Sequence, residues 1–364
     1  MPKITIIAGA RPNFMKIAPI IAAINRHNNK AVNPIQFRLV HTGQHYNANL
    51  SDSFFKDLDI PEPDVNLEVG SGTHAVQTAA IMVKLEQELL KNPTDLVLVV
   101  GDVNSTMAAT LVAKKMNVKV AHIEAGLRSY DMTMPEEINR LVTDVLADYF
   151  FTTTVEAGEN LKKLSATIDR IYFVGNTMID SLQANLGRLI SPQVFMKNDI
   201  KDKDYFLLTL HRPSNVDDID KLDDMLRFLA DLANGKTIIF PVHPRTQSKL
   251  EGLPDLPKNI IFTDPLPYLE FIYLVKNALA VVTDSGGIQE ETTYLKIPCL
   301  TLRENTERPE TISIGSNLLL GFDKGKIKKA FENILSGNWK KSSIPDLWDG
   351  KAAERIVKVL AQKL

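Results

Sequence analysis

With 364 residues, 44% of them hydrophobic and 24% charged, the chain has the make-up of an ordinary globular protein and enough length for two domains with separate cores. A net charge of −2 gives no electrostatic ground for binding nucleic acid or an anionic membrane, and no apolar stretch reaches the roughly 18 residues of a membrane span. The single cysteine, Cys299 in IPCLTL, excludes an intrachain disulfide and fits a small core residue in a reducing, cytoplasmic compartment. The apolar run near the N-terminus is too short for a signal peptide.

Taken in chain order, short β-branched runs recur, each followed by a helical pattern. They are KITIIAG (3–9), FRLVHTG (37–43), DLVLVVGD (95–102), VKVAHIEAG (118–126), DYFFTTT (148–154) and IYFVGN (171–176) in the first half. YFLLTLH (205–211), TIIFPVH (237–243), NIIFTD (259–264), LAVVTDSGG (279–287) and IPCLTLR (297–303) follow in the second. Continuous apolar runs mark strands buried on both faces, hence parallel sheets covered by helices. Eleven strands are many for one open sheet, and the polar, proline-containing segment 186–204 follows the sixth. The expected fold is therefore α/β: two Rossmann-like doubly wound domains, 1–185 and 186–350, with a ligand in the cleft between them. The strand count and the break near 190 weigh against a single barrel.

Candidate chemistry sits at the ends of these runs. GARPNFMKIAPI (9–20) occupies the place of a dinucleotide-binding loop, yet of GxGxxG only Gly9 is present, which counts against NAD or FAD. Arg11 and Lys16 bracket that strand-to-helix turn and suit a phosphate; a surface basic pair is the plainer reading. Asp102, Glu124 and Glu136 fall at one expected sheet edge, where three carboxylates suit acid–base work. Each has a structural alternative: Asp102 as a helix cap, Glu124 paired to Arg128, and Glu136 paired to Arg140 four residues on.

His211 and His243 end strands of the second half and could donate to phosphate. Neither HExxH nor a Cys/His cluster is present, which disfavours a metal, and no GxSxG elbow exists. In TDSGGIQEETTYL (283–295), Ser285 is placed to cap a helix whose Gly286 and Gly287 let backbone N–H groups approach a phosphate. Glu290 or Glu291, a turn later, suits ribose hydroxyls, and a plain glycine-rich turn is the alternative. The basic KGKIKK (324–329) reads as a solvated helix face. The two loops together suggest a nucleotide diphosphate.

GARPNFMKIAPI, TGQHY (42–46), GDVNST (101–106), HIEAGLR (122–128), MPEEINR (134–140), VGNTMID (174–180), LTLHR (208–212), PVHPR (241–245), TDSGGIQEE (283–291) and RENTERPET (303–311) together resemble the non-hydrolysing UDP-N-acetylglucosamine 2-epimerases, in order from about residue 4 to 321. The resemblance implies a GT-B arrangement, with the C-terminal helix 351–364 returning to the first domain, and a homodimer. It implies no NAD and no metal. A base removes the C2 proton as UDP leaves C1, giving a 2-acetamidoglucal to which UDP re-adds, in the supply of surface polysaccharide precursors. Asp102, Glu124, Glu136 and His211 match the catalytic positions. Arg11, Lys16, His243, Ser285, Gly286 and Gly287 match the diphosphate site, Glu291 the ribose, Arg308 the UDP moiety and Phe271 the uracil-stacking aromatic.

Three places depart from the family pattern. HRPS (211–214) replaces the usual HRRE, the loop between Arg128 and Pro135 is short, and EVGSGTHAVQT (68–78) stands where an arginine-bearing loop is usual. Two of these regions help form the site for allosteric activation by substrate in bacterial members, so that activation is in question although Gln44 and His45 remain. The forms GARPNFMK, GQHY, GSGTH and RSYDMTMPEE also resemble a sister group acting on UDP-2,3-diacetamido-glucuronic acid, which is the alternative substrate. A GT-B glycosyltransferase and a non-catalytic nucleotide-sugar sensor are more remote readings.

Overall fold

A computed structural model describes residues 1–43, 58–164, 166–242, 244–250, 253 and 255–364, with the side chains at 11, 213, 214, 244, 245 and 248 outside the description. The chain divides into two compact units: Met1–Ala184 with Asp346–Leu364, and Asn185–Pro345.

The first unit runs β1 (Lys3–Ala8), α1 (Arg11–Asn28), β2 (Gln36–His41), β3 (Val65–Asn66), α2 (His74–Lys91), β4 (Leu96–Val100), α3 (Asn104–Lys115), β5 (Lys119–Ile123), α4 (Pro135–Leu146), β6 (Tyr149–Thr152), α5 (Val155–Lys163), β7 (Ile171–Phe173) and α6 (Thr177–Asn185). The strands form a seven-stranded sheet in the order β3-β2-β1-β4-β5-β6-β7, parallel throughout. Every residue of β4, LVLVV, is buried, as expected of a central strand covered on both faces.

The order reverses between β1 and β4. At such a switch point the two loops leaving the strand ends turn to opposite faces and open a crevice, where open α/β sheets bind ligands. Asn13 of α1 holds this point together. Its Oδ1 accepts from the N–H groups of Gly9 (3.1 Å) and Ala10 (3.0 Å), and its Nδ2 donates to the Val100 carbonyl at 3.2 Å.

The second unit contains α7 (Gln193–Lys197), β8 (Tyr205–Thr209), α8 (Pro213–Val216), α9 (Ile219–Leu232), β9 (Thr237–Pro241), α10 (Pro244–Leu250), β10 (Ile260–Thr263), α11 (Tyr268–Asn277), β11 (Ala280–Thr283), α12 (Gly286–Leu295), β12 (Cys299–Thr301), α13 (Pro309–Ser313), β13 (Asn317–Leu319) and α14 (Lys324–Leu335). Its parallel six-stranded sheet is ordered β10-β9-β8-β11-β12-β13, with the switch between β8 and β11. Phe206, Phe240, Ile238 and Val282 point into a core closed by Leu226 and Leu229 of α9 and Phe331 of α14.

The eleven expected runs all hold strands, and β3 and β13 are additions of two and three residues, too short to announce themselves as runs. The KGKIKK segment begins α14 with Ile327 buried and its lysines exposed. Cys299 is buried on β12, and burial pushes its thiol up to about 11.

The last helix, α15 (Ala352–Lys363), belongs to the first unit and packs on α1. Asp180 of α6 accepts from the N–H groups of Ala352 (3.1 Å) and Ala353 (2.7 Å), capping α15 from another element. Burial, working against those two bonds, raises the Asp180 carboxyl to about 6.

Candidate active site

Asp102 and Glu124 leave adjacent strands, β4 and β5, at the switch point of the first unit. Neither follows its expected structural alternative. The N-cap of α3 is Val103 rather than Asp102. Asp102 instead meets the buried guanidinium of Arg140 at 2.5 Å, and Arg140 also binds Glu137 at 2.6 Å. Glu124 pairs with the buried Lys16 ammonium, not with Arg128, which is held by Asp144 at 2.7 Å. Both carboxylates therefore face a buried cation.

Glu124 is a non-glycine residue at φ 65°, a conformation that costs on the order of 1–3 kcal/mol and clusters at functional sites. Gly101 has φ 67°, and a Cβ there would lie 3.3 Å from Lys16 Nζ and 3.4 Å from Glu124 Oε2. The turn thus brings Lys16, Glu124 and Asp102 together. Gly126 closes the HIEAG loop at φ 81°, where a Cβ would stand 2.2 Å from the Ala157 carbonyl.

Pro135 starts α4, so Glu136 lies in its first turn as expected. The expected pair with Arg140 does not form, since Arg140 is taken by Asp102 and Glu137. Glu136 is partly exposed and makes no ion pair among the described residues. Glu137 instead turns inward, accepting from Ser129 N–H and Oγ at 2.9 Å each.

A further polar chain reaches the same turn. Asn139 donates to the Asp102 carbonyl at 2.8 Å and meets Asn104 at 3.3 Å, and Asn104 meets the exposed His74 ring at 3.1 Å. His74 lies in the departing segment 68–78, so that segment is tied by side chains to the Asp102 turn.

In the second unit His211 follows β8 and Asp284 follows β11, one strand on each side of the switch. The half-exposed His211 ring lies 2.7 Å from Asp284 through Nδ1. Burial pushes the Asp284 carboxyl up, but its bonds to the His211 ring and to the N–H groups of His211 and Arg212 outweigh that and hold it below the usual range. Asn215 adds a donor at 2.8 Å.

Ser285 is the N-cap of α12, yet its side chain accepts no capping bond, which corrects the expected cap. The backbone N–H groups of Gly286 and Gly287 start this ten-residue helix, whose positive end favours an anion by roughly 0.3–1 kcal/mol. A Cβ at Gly286 would lie 3.0 Å from Glu307 and 3.2 Å from Arg308. Arg308 is buried, pairing with Glu290 at 2.8 Å and Glu307 at 2.9 Å. Glu291 is buried beside Tyr268; burial, reinforced by the Glu290 charge, raises its carboxyl to about 8. Phe271 of α11 is partly buried. Gln44, His45 and His243 lie outside the described residues, as does the Arg11 side chain.

Among the described residues no group of three His, Cys, Asp or Glu gathers to hold a metal, and no helix is long and apolar enough to cross a membrane.

The UDP-N-acetylglucosamine 2-epimerase family model matches residues 27–361. The chain belongs to that family. Its fold is the GT-B type, with two Rossmann-like domains, and the family is one of isomerases. The UDP-N-acetylglucosamine 2-epimerase of Methanocaldococcus jannaschii is 43% identical over 98% of each chain. A crystal structure of the M. jannaschii UDP-GlcNAc 2-epimerase with UDP-GlcNAc and UDP superimposes with a TM-score of 0.87 at 42% identity, covering 99% of each. A UDP-2,3-diacetamido-2,3-dideoxy-D-glucuronate 2-epimerase of Pseudomonas aeruginosa is 38% identical over 99% of each chain.

Within this epimerase fold the strand-end carboxylates were readable from sequence; Arg140, Glu137, Asn13, Asp144, Asn139 and Asp284 were not. MPEEINR offered the one available signal for Arg140 and Glu137, and it pointed to the wrong glutamate as the partner.

Proposed function

We propose that the chain is a UDP-N-acetylglucosamine 2-epimerase, interconverting UDP-GlcNAc and UDP-ManNAc. The observation that carries this reading is the arrangement at the two switch points, in a chain of this family. Two cation-opposed carboxylates close the first, and a His–Asp pair with a glycine-started helix closes the second.

In the proposed reaction a carboxylate takes the C2 hydrogen as a proton, the C1–O bond to UDP breaks, and a C1–C2 double bond forms. UDP oxygen then re-adds to C1 as a proton is delivered to the opposite face of C2. Asp102, Glu124 and Glu136 are assigned the proton transfers. Each well-placed acid or base is worth about 10²–10⁴-fold, and the departing diphosphate needs preorganised positive charge. Lys16 has two donors beyond the one facing Glu124 and can bind phosphate as well. His211, oriented by Asp284, and the Gly286 and Gly287 N–H groups serve the same end. Arg11, His243, Ser285 and Arg308 are assigned to UDP, Glu291 to the ribose and Phe271 to the uracil. Elimination and re-addition are redox-neutral and transfer no hydride, so the proposed reaction uses no NAD, and we assign it no metal.

Incubation with UDP-GlcNAc in D₂O tests the reaction. Deuterium is expected at C2 of the recovered UDP-GlcNAc and of the UDP-ManNAc formed; protium retained throughout, with no UDP-ManNAc, would refute it. The P. aeruginosa relative supports a second reading, UDP-2,3-diacetamido-glucuronate as substrate. A panel of the two sugars separates them by kcat/KM. We place the activity in the cytoplasm, supplying surface polysaccharide precursors. We assign a homodimer, for which Val76, Val83 and Leu90 offer an exposed apolar stripe along α2 at seven-residue spacing.

A further inference from the structure

His122 is the fourth residue of β5 and has no part in the chemistry above. Its ring is fully buried. Both nitrogens face oxygen: Nδ1 lies 2.7 Å from Asp144 Oδ1 and Nε2 lies 2.9 Å from the Gly101 carbonyl. A carbonyl can only accept, so Nε2 carries a proton. The other Asp144 oxygen receives Arg128 Nη1 at 2.7 Å and the Gly126 N–H at 3.1 Å. Nδ1 thus faces the carboxyl oxygen that those two donors do not use.

We propose that the buried His122 ring, held on its other side by Asp144, fixes the Gly101–Asp102 turn through its Nε2–H, making it a positioning residue for the proton-transfer carboxylates. Gly101 precedes Asp102 and lies at φ 67°, where glycine has several accessible backbone states. β5 removes that freedom at both ends of the residue. The Gly101 N–H donates to the Ile123 carbonyl at 3.1 Å, and its own carbonyl receives the His122 ring. Glu124 follows on the same strand, so one rigid element sets where both carboxylates stand. Asp144, itself held by Arg128, holds the ring in turn.

The kinetic consequence rests on the proposed epimerisation, whereas the bond from the ring to Gly101 does not. In protein labelled with ¹⁵N-histidine, one buried ring is expected to show an Nε2–H protected from exchange with solvent, as its bond to the Gly101 carbonyl requires. Its signals should vanish in His122→Gln. Asp144→Asn keeps the shape of the site and weakens the hold on Nδ1, so that protection should be lost. Misplacing a reacting group by an ångström costs about 100-fold; kcat should fall by roughly that factor in Asp144→Asn, while KM and UDP affinity change less than about threefold. A bare or freely exchanging Nε2 on His122 in the wild-type chain would overturn the proposal, whatever Asp144→Asn does to folding. So would an Asp144→Asn protein that has lost that protection and keeps wild-type kcat. A wild-type chain without epimerase activity would count against the reaction, and the ring-proton reading would still decide the role of His122.

Discussion

Asp102 and Glu124 each face a cation, and Glu136 does not. Replacing any of the three by its amide should lower kcat by about 10²–10⁴-fold. The variants should differ in stability. Asp102→Asn removes one of the two carboxylates that Arg140 meets, and Glu124→Gln leaves the buried Lys16 against a neutral group, which is costly, so their melting temperatures should drop. Glu136→Gln should melt with the wild type. UDP affinity by calorimetry should stay near wild type for Asp102→Asn and Glu136→Gln, and an unchanged kcat in any one would return that residue to a structural role. Glu291 gives a pH signature of its own. Its carboxyl binds a proton more tightly folded, at about 8, than at its ordinary value of 4.5. Its contribution to stability is therefore complete below pH 4.5 and is lost as pH rises through about 8. The thermal transition of the second unit should shift down across that window, and Glu291→Gln should flatten the dependence. At this scale the strand-end acids were legible because they terminate apolar runs. Their partners were not, because Lys16 and Glu124 are 108 residues apart and Arg140 and Asp102 are 38 apart. Such meetings are decided by which strands lie side by side, and one sequence does not state that order.

At the scale of elements, the expected strands appear because each is an uninterrupted apolar run, while β3 and β13 borrow their conformation from neighbours already in the sheet. Helix starts were half legible. Pro135 opens α4 as its chemistry predicts, but Ser285 occupies a cap position without using its hydroxyl, which leaves that oxygen and the first N–H groups of α12 uncommitted to each other. The cap on α15 comes from Asp180, 172 residues earlier, and no local pattern could have announced it. Asp180→Ala should cost about 1 kcal/mol, the usual worth of an N-cap, measured by urea denaturation of the first unit; an unchanged midpoint would mean that packing on α1 alone holds the helix.

For the whole molecule, the exposed stripe on α2 makes association testable. Light scattering should return twice the chain mass, and Val83→Glu should shift the protein toward monomer with the far-ultraviolet spectrum unchanged. A monomeric wild type at micromolar concentration would remove the homodimer assignment. Composition had already suggested two domains, and the continuous apolar runs had suggested that both are doubly wound. The final amphipathic helix carried no mark of its destination, since an apolar face matches any complementary surface. Its return to α1 and α6 has a consequence for synthesis. The first unit is built from two stretches of chain separated by the entire second unit, so a ribosome delivers its seven strands long before it delivers the helix that covers α1. Until translation has passed residue 352, the apolar side of α1 that α15 will occupy is open to solvent and to other nascent chains. Emergence of α15, rather than completion of the sheet, is then the event that finishes the first unit.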